Sequence, residues 1–335
     1  MTDFQAQAPL PALFDLQVNG FAGVDFQQPD LTLQQLQHAI RETRKRGIHR
    51  IFLTLITDEI DSLCKKFEQI EKYRAADPLL AESIPGYHIE GPYLSPKPGF
   101  HGAHPASKMK APDLAEFQRL QDAAGGNIRI VTLAPEWDGS DAFTAEVSKK
   151  GTVVSLGHTD ASEEEIDRAI AAGAKMCTHL GNGCPGEMHR HDNIIQRLLA
   201  RDELIACLIP DGIHIPPHAL KNLFRGKPLD KVILTSDCMA AAGAPNGHYR
   251  LGQLELEVGD DGVVRQPGRT NFAGSSLSLG RGVANFSRWT GVEIDQAWKF
   301  ASTAIADLFD LSLPMLDPSD VSQALNDSFE KLASA

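Results

Sequence analysis

With 335 residues, 42% of them hydrophobic, the chain can fill one large α/β barrel or two average domains. A formal net charge of −12 excludes nucleic acid and anionic membrane as general partners, because both require a basic surface. It still permits an anionic small molecule held by a local basic group. The five cysteines (Cys64, Cys177, Cys184, Cys207 and Cys238) form no C-x-x-C pair, and three lie in or against apolar runs. That pattern, with no basic-then-apolar leader and no apolar run of membrane-spanning length, reads as a reduced, cytoplasmic protein.

After a Pro-containing lead-in, Leu13 to Val18 reads as a strand that ends at Asn19-Gly20. Helix periodicity from Leu31 to Lys45, strand character over Arg50 to Thr57 and a charged amphipathic stretch from Asp58 to Tyr73 follow. A third strand, Ile84 to Ile89, delivers Glu90-Gly-Pro92. The stretch from Tyr93 to Lys110 is rich in Pro, Gly and His and longer than a simple connection needs, which marks it as an active-site loop. Pro112 to Ala124 is helical, Ile128 to Leu133 a fourth strand, and Asp141 to Lys149 a short helix.

Gly151 to Asn182 is the most informative stretch. Val153 to Leu156 is a short apolar run of the buried parallel-strand kind, ending in Gly157-His158. Ser162-Glu-Glu-Glu165 is a capping-box signature for a helix that Gly173 stops, and Lys175 to Thr178 forms a strand that delivers His179. A right-handed crossover makes these strands parallel neighbours, so both histidines emerge at one sheet edge. Asp192 to Ala200 reads as a helix, Leu204 to Ile209 as the seventh strand, ending in Pro210-Asp-Gly-Ile-His214. Pro217 to Phe224 reads as a helix and Lys231 to Thr235 as the eighth strand, ending in Ser236-Asp237.

Eight short apolar strands alternating with helices point to a (β/α)8 barrel whose strands run from about residue 13 to 239. The rival, a doubly wound dinucleotide fold, requires a G-x-G-x-x-G turn after its first strand, and Asn19-Gly-Phe-Ala-Gly23 is not one. A hairpin insertion at about 244–274 and closing helices at about 281–333 (Arg281 to Thr290, Ile294 to Leu308, Ser319 to Ala333) complete a single catalytic domain, 1–335.

Polar residues fall just past most strands: Gln17, Asn19, Glu90, His158, His179, His214 and Asp237. In a barrel, the C-terminal strand ends carry the chemistry. One carboxylate and two imidazoles, Glu90, His158 and His179, suit a Zn²⁺ that keeps a fourth position for water. A carboxylate such as Asp237 facing that water can pass its proton to a leaving group.

At these residues the sequence resembles the N-acetylglucosamine-6-phosphate deacetylases of the amidohydrolase superfamily, from about Leu13 to Leu311. The stretches that carry the resemblance are Asp15-Leu-Gln-Val-Asn-Gly-Phe-Ala-Gly-Val24, His88-Ile-Glu-Gly-Pro92, Gly157-His158, Thr178-His-Leu-Gly-Asn182, Asp211-Gly-Ile-His214, Thr235-Ser-Asp237 and Gly274-Ser-Ser-Leu277. Many superfamily members carry His-x-His after the first strand. Here those positions are Gln17 and Asn19, as in this family, which implies a site for one divalent metal, Zn²⁺. The resemblance makes Glu90, His158 and His179 the metal ligands and Asp237 the proton-transferring aspartate. It places Asn182 and Gly183, Ala103 and His104 (with His101 competing for that role) and Phe272, Ala273 and Gly274 against the sugar. Arg190 and His214, the latter from the motif opened by Asp211, match the phosphate positions, and the arginine can come from a neighbouring subunit, which implies a homodimer.

Two departures stand out. The family's flanking β-sandwich is missing here or reduced to the hairpin near residue 260, and Met188-His-Arg-His191 places extra histidines beside Arg190. The expected activity is hydrolysis of the acetamide of an N-acetylated amino sugar, with N-acetylglucosamine 6-phosphate giving glucosamine 6-phosphate and acetate. The alternatives are another N-acyl amino sugar such as N-acetylgalactosamine 6-phosphate, a cyclic amide, or a non-catalytic sugar-phosphate-binding barrel.

Overall fold

The computed structural model describes residues 4–268 and 272–327. Its centre is an eight-stranded parallel sheet in which each strand pairs with the next. The strands are β1 Leu13–Val18, β2 Ile48–Ile56, β3 Gly86–Glu90, β4 Ile128–Leu133, β5 Val153–Leu156, β6 Met176–Cys177, β7 Ile205–Leu208 and β8 Val232–Leu234. The alternation read from the sequence therefore forms the barrel. Helix starts match their local chemistry: Thr32 and Gln35 make a reciprocal capping box before α1 Leu33–Lys45, and Ser162 and Glu165 make the one before Glu163–Ala171.

The ladder does not run directly from β8 back to β1, and the seam is closed by other means. Asn19 N–H donates to the Cys238 carbonyl at 2.7 Å, beside a parallel bridge between Val18 and Cys238. The buried Asp15 carboxylate accepts from Thr235 Oγ1 at 2.8 Å and from Ser236 N–H at 3.2 Å. Lower down, Phe14 N–H donates to the Ala301 carbonyl and Leu234 N–H to the Phe300 carbonyl, each at 2.9 Å.

That last pair explains a correction. The periodicity from Ile294 to Leu308 suggests one helix, but the chain forms two, Ile294–Lys299 and Thr303–Leu308. Between them the backbone turns its carbonyls to the barrel seam, and Ser302 Oγ donates to the carbonyls of Pro11 and Ala12 at 3.1 and 2.7 Å. Tertiary hydrogen bonds outcompete helix continuation there. The second of these helices then plugs the barrel floor, where Ile305 and Ala306 pack with Phe14, Leu16, Phe52, Ile130, Val153, Met176, Cys207 and Ile233. Each large apolar side chain buried in this way stabilises the fold by about 1.5–3 kcal/mol.

The elements that escaped the sequence reading include the short helix Pro78–Ser83 and the strand Gly247–Leu251. The latter pairs with Leu254–Val258, which in turn pairs with Val264–Arg265, so the hairpin region is a three-stranded sheet. The last closing helix spans Pro318–Leu325, and the part of its expected range beyond residue 327 lies outside the described residues. Among the described residues, no helix is long and apolar enough to cross a membrane.

Candidate active site

One step back along the strands from the site lies a buried hydroxyl network. Thr132 Oγ1 and Thr178 Oγ1 are 2.7 Å apart, Ser155 Oγ and Thr178 Oγ1 2.6 Å, and His88 Nε2 joins Thr132 at 2.7 Å. Burial pushes His88 down to about 4, so this ring is neutral. The network separates the apolar floor from the strand ends.

Above it, Glu90, His158 and His179 converge, all buried. His179 Nε2 is 3.0 Å from both Glu90 Oε1 and His158 Nε2, and His158 Nε2 is 3.4 Å from Glu90 Oε1. The Phe100 carbonyl can only accept, so His158 Nδ1 donates to it at 2.7 Å and the Nε2 lone pair faces the cluster. His158 and His179, together with Asp237, have left-handed backbones, with φ of 50°, 29° and 49°. Non-glycine residues seldom occupy that region, and among the described residues only Ala22 and Asp310 do so besides these three.

His104 joins the group from the Tyr93–Lys110 loop. Its Nε2 is 3.5 Å from Glu90 Oε2, and one donor atom each from Glu90, His104 and His158 lie within 4.8 Å of one another. Its Nδ1 lies 2.9 Å from Thr57 Oγ1 and 3.4 Å from the Thr57 amide nitrogen. A backbone amide can only donate, so Nδ1 accepts and the ring proton sits on Nε2, aimed into the site.

These residues fit a divalent cation. Three separations of 3.0, 3.0 and 3.4 Å match donor atoms that share one tetrahedral ion at about 2.0–2.1 Å. The electrostatics agree. Burial works against the Glu90 carboxylate, yet His104, His158 and His179 hold it well below its usual range. Burial and the Glu90 charge push Asp237 up to about 8. Among the described residues, no lysine or arginine lines the cavity.

The cavity, of about 710 Å³, opens over this cluster. Of the residues singled out from the sequence, Glu90, His158, His179, Asp237, Ala103, His104, Asn182, Gly183, His214, Phe272, Ala273 and Gly274 all line it. Asp211 does not line it. Its Oδ2 lies 2.6 Å from His214 Nδ1 and its Oδ1 accepts from the amides of Ile213 and His214, so it orients the His214 ring. Arg190 is exposed on the Met188–His191 stretch and does not reach the cavity of its own chain. His101, the competitor of His104, lines it as well. Ile56, Cys184, Met188, Ile195 and Leu251 were missed. Leu251 comes from the unforeseen strand, and an apolar lining residue carries no chemical signature of its own.

No family model matches the chain. It is 32% identical over 293 residues to the N-acetylglucosamine-6-phosphate deacetylase of Bacillus subtilis, an alignment that covers 85% of this chain and 72% of that one. It is 30% identical over 305 residues to the N-acetylgalactosamine-6-phosphate deacetylase of Escherichia coli O157:H7, covering 90% and 78%. Among solved structures it is similar to a mutant N-acetyl-D-glucosamine-6-phosphate deacetylase of Mycobacterium smegmatis in complex with N-acetyl-D-glucosamine-6-phosphate. The TM-score is 0.83 at 28% identity, over 93% of this chain and 83% of that one. With relatives of this identity aligned along most of its length, and a barrel that matches theirs, the chain belongs to the N-acetylglucosamine-6-phosphate deacetylase family.

Proposed function

We propose that the chain hydrolyses the acetamide of N-acetylglucosamine 6-phosphate to glucosamine 6-phosphate and acetate. The observation that carries the reading is the convergence of Glu90, His158, His179 and Asp237 in one cavity, on a chain of this family. Glu90, His158 and His179 would hold one divalent ion, with Zn²⁺ the best match to two nitrogens and one oxygen. When bound, the ion supplies a Lewis acid for the acetamide carbonyl and makes water more acidic.

The chain's own residues do the rest. Asp237 accepts the proton of the attacking water and returns it to the sugar nitrogen, so the C–N bond breaks with a neutral amine leaving. His104, with its proton on Nε2, donates to the carbonyl oxygen as negative charge develops there. Asn182, Gly183, Ala103 and Phe272 to Gly274 line the sugar's place, and His214, steadied by Asp211, faces the phosphate.

Since Arg190 is exposed and outside its own cavity, we further propose a homodimer in which this guanidinium reaches the phosphate of the neighbouring subunit's substrate. A planar guanidinium suits that anion through paired charge-assisted bonds. The five unpaired cysteines support a cytoplasmic setting, and the whole chain, 1–335, is proposed as one catalytic barrel domain.

Amine release from N-acetylglucosamine 6-phosphate, N-acetylgalactosamine 6-phosphate and unphosphorylated N-acetylglucosamine, each with and without added Zn²⁺, tests the reading. Metal-dependent turnover with preference for the first supports it. Preference for the second moves the specificity to the other sugar, in line with the E. coli relative. Turnover of none of them removes the proposal.

A further inference from the structure

We infer that Asn19 is a positioning residue for Asp237 and selects the carboxylate oxygen that takes the proton. The inference rests on the proposed role of Asp237 in proton transfer. Asn19 closes β1 and Asp237 stands just beyond β8, on the two sides of the barrel seam. Asn19 is 3% exposed, and its Nδ2 donates to Asp237 Oδ1 at 2.8 Å.

The backbone of Asn19 is clamped on both sides. Its N–H donates to the Cys238 carbonyl at 2.7 Å, and its carbonyl accepts from Phe26 N–H at 3.0 Å and Gln27 Nε2 at 3.4 Å. A side chain with only two rotatable bonds, carried on a backbone held in this way, has little freedom to point elsewhere. Among the described residues the bond to Asp237 is the only side-chain hydrogen bond that Asn19 makes, and its buried Oδ1 has no partner.

The consequence for Asp237 is asymmetry. Oδ1 is occupied by the amide, while among the described residues no donor reaches Oδ2. Oδ2 therefore keeps the free lone pairs and is the oxygen that accepts the water proton. An amide suits this task because it carries no charge and does not itself titrate. Donation to the ionised form also keeps the base ready. Gln17, two residues earlier, is fully buried with both amide atoms unpaired and makes no such contact.

The test compares Asn19→Leu, which keeps the volume but removes the donor, with Asn19→Asp, which keeps the shape but replaces the donor by an acceptor. The readouts are kcat, KM, the pH profile of kcat/KM, bound metal and Tm. For Asn19→Leu, kcat should fall on the order of 10- to 100-fold, as is typical when an outer partner of a working side chain is lost. KM, metal content and Tm should change little, and the acid limb should move to higher pH. Asn19→Asp should move that limb further still, because two carboxylates then face each other. Asn19→Gln, with the donor on a longer arm, should recover part of the loss.

An unmoved limb and an unchanged kcat in Asn19→Leu would overturn the inference. So would a loss of kcat that tracks loss of metal or Tm, since that marks a structural role. If Asp237→Asn keeps turnover, it is the proton-transfer role itself that fails. If Asp237→Asn is inactive and Asn19→Leu is unimpaired, only the inference about Asn19 fails.

Discussion

His158 donates its Nδ1 proton to the Phe100 carbonyl across 2.7 Å, which ties the imidazole at the end of β5 to the loop that covers the site. The ring is closely fitted. A Cβ added at Gly102 would meet His158 Cε1 at 2.9 Å, and one at Gly183 would meet His158 Nδ1 at 2.9 Å, both from positive-φ backbones. Gly102→Ala should therefore shift the imidazole and lower metal affinity on the order of 10- to 100-fold. Chelator competition followed by metal analysis reads this out. Wild-type retention of the ion in that variant would separate the Phe100 contact from ligand orientation.

Asp237→Asn keeps the shape of the side chain and removes its ability to accept a proton. Turnover should drop by roughly 10²–10⁴, the usual contribution of a general base, while bound metal stays stoichiometric. Substantial residual activity would take Asp237 out of the mechanism.

Asp15 links stability to pH. Burial raises its carboxyl to about 6 against an ordinary value of 3.8, with the bonds from Ser236 and Thr235 opposing the rise only in part. The folded state therefore binds this proton more tightly than the unfolded chain does. Its contribution to stability is fully present below pH 3.8 and is lost as pH rises through about 6. The span corresponds to at most about 3 kcal/mol. Asp15→Asn should flatten this part of the stability curve and raise Tm above pH 7. Parallel curves for the two proteins would contradict it.

Asp58 fastens the loop. At the end of β2 it holds Lys66 at 2.8 Å and Lys108 at 2.5 Å, next to Thr57, which holds His104. Although partial burial works against the charge, Lys108, Lys66 and Ser62 keep its carboxyl below the usual range. Lys108→Met should release one end of the loop at a cost of about 1 kcal/mol, raising KM roughly fivefold and speeding proteolysis between residues 93 and 110. An unchanged cleavage pattern would argue that other contacts hold the loop.

Most of the barrel could be read in advance because its strands are short apolar runs, most of which stop at or just before a polar residue. Glu90, His158, His179 and Asp237 were visible for that reason. Where the reading failed, long-range contacts had overridden a local pattern. The periodic run Ile294 to Leu308 breaks because Phe300 and Ala301 serve the barrel seam. Leu251 reaches the cavity from a strand whose partner is set by pairing rather than by composition. Arg190 is exposed and outside the cavity of its own chain, so the role proposed for it rests on a neighbouring subunit.

The left-handed backbone at His158, His179 and Asp237 bears on any attempt to move this chemistry to another barrel. Such conformations are strained by on the order of 1–3 kcal/mol each, and a host scaffold with relaxed strand ends has no reason to adopt them. Transplanting the side chains alone would leave the imidazoles and the carboxylate pointing along ordinary β directions, away from a common centre. A graft must therefore bring the three kinks with it, including the seam and loop contacts that hold them, and its starting scaffold needs several kcal/mol of stability in reserve.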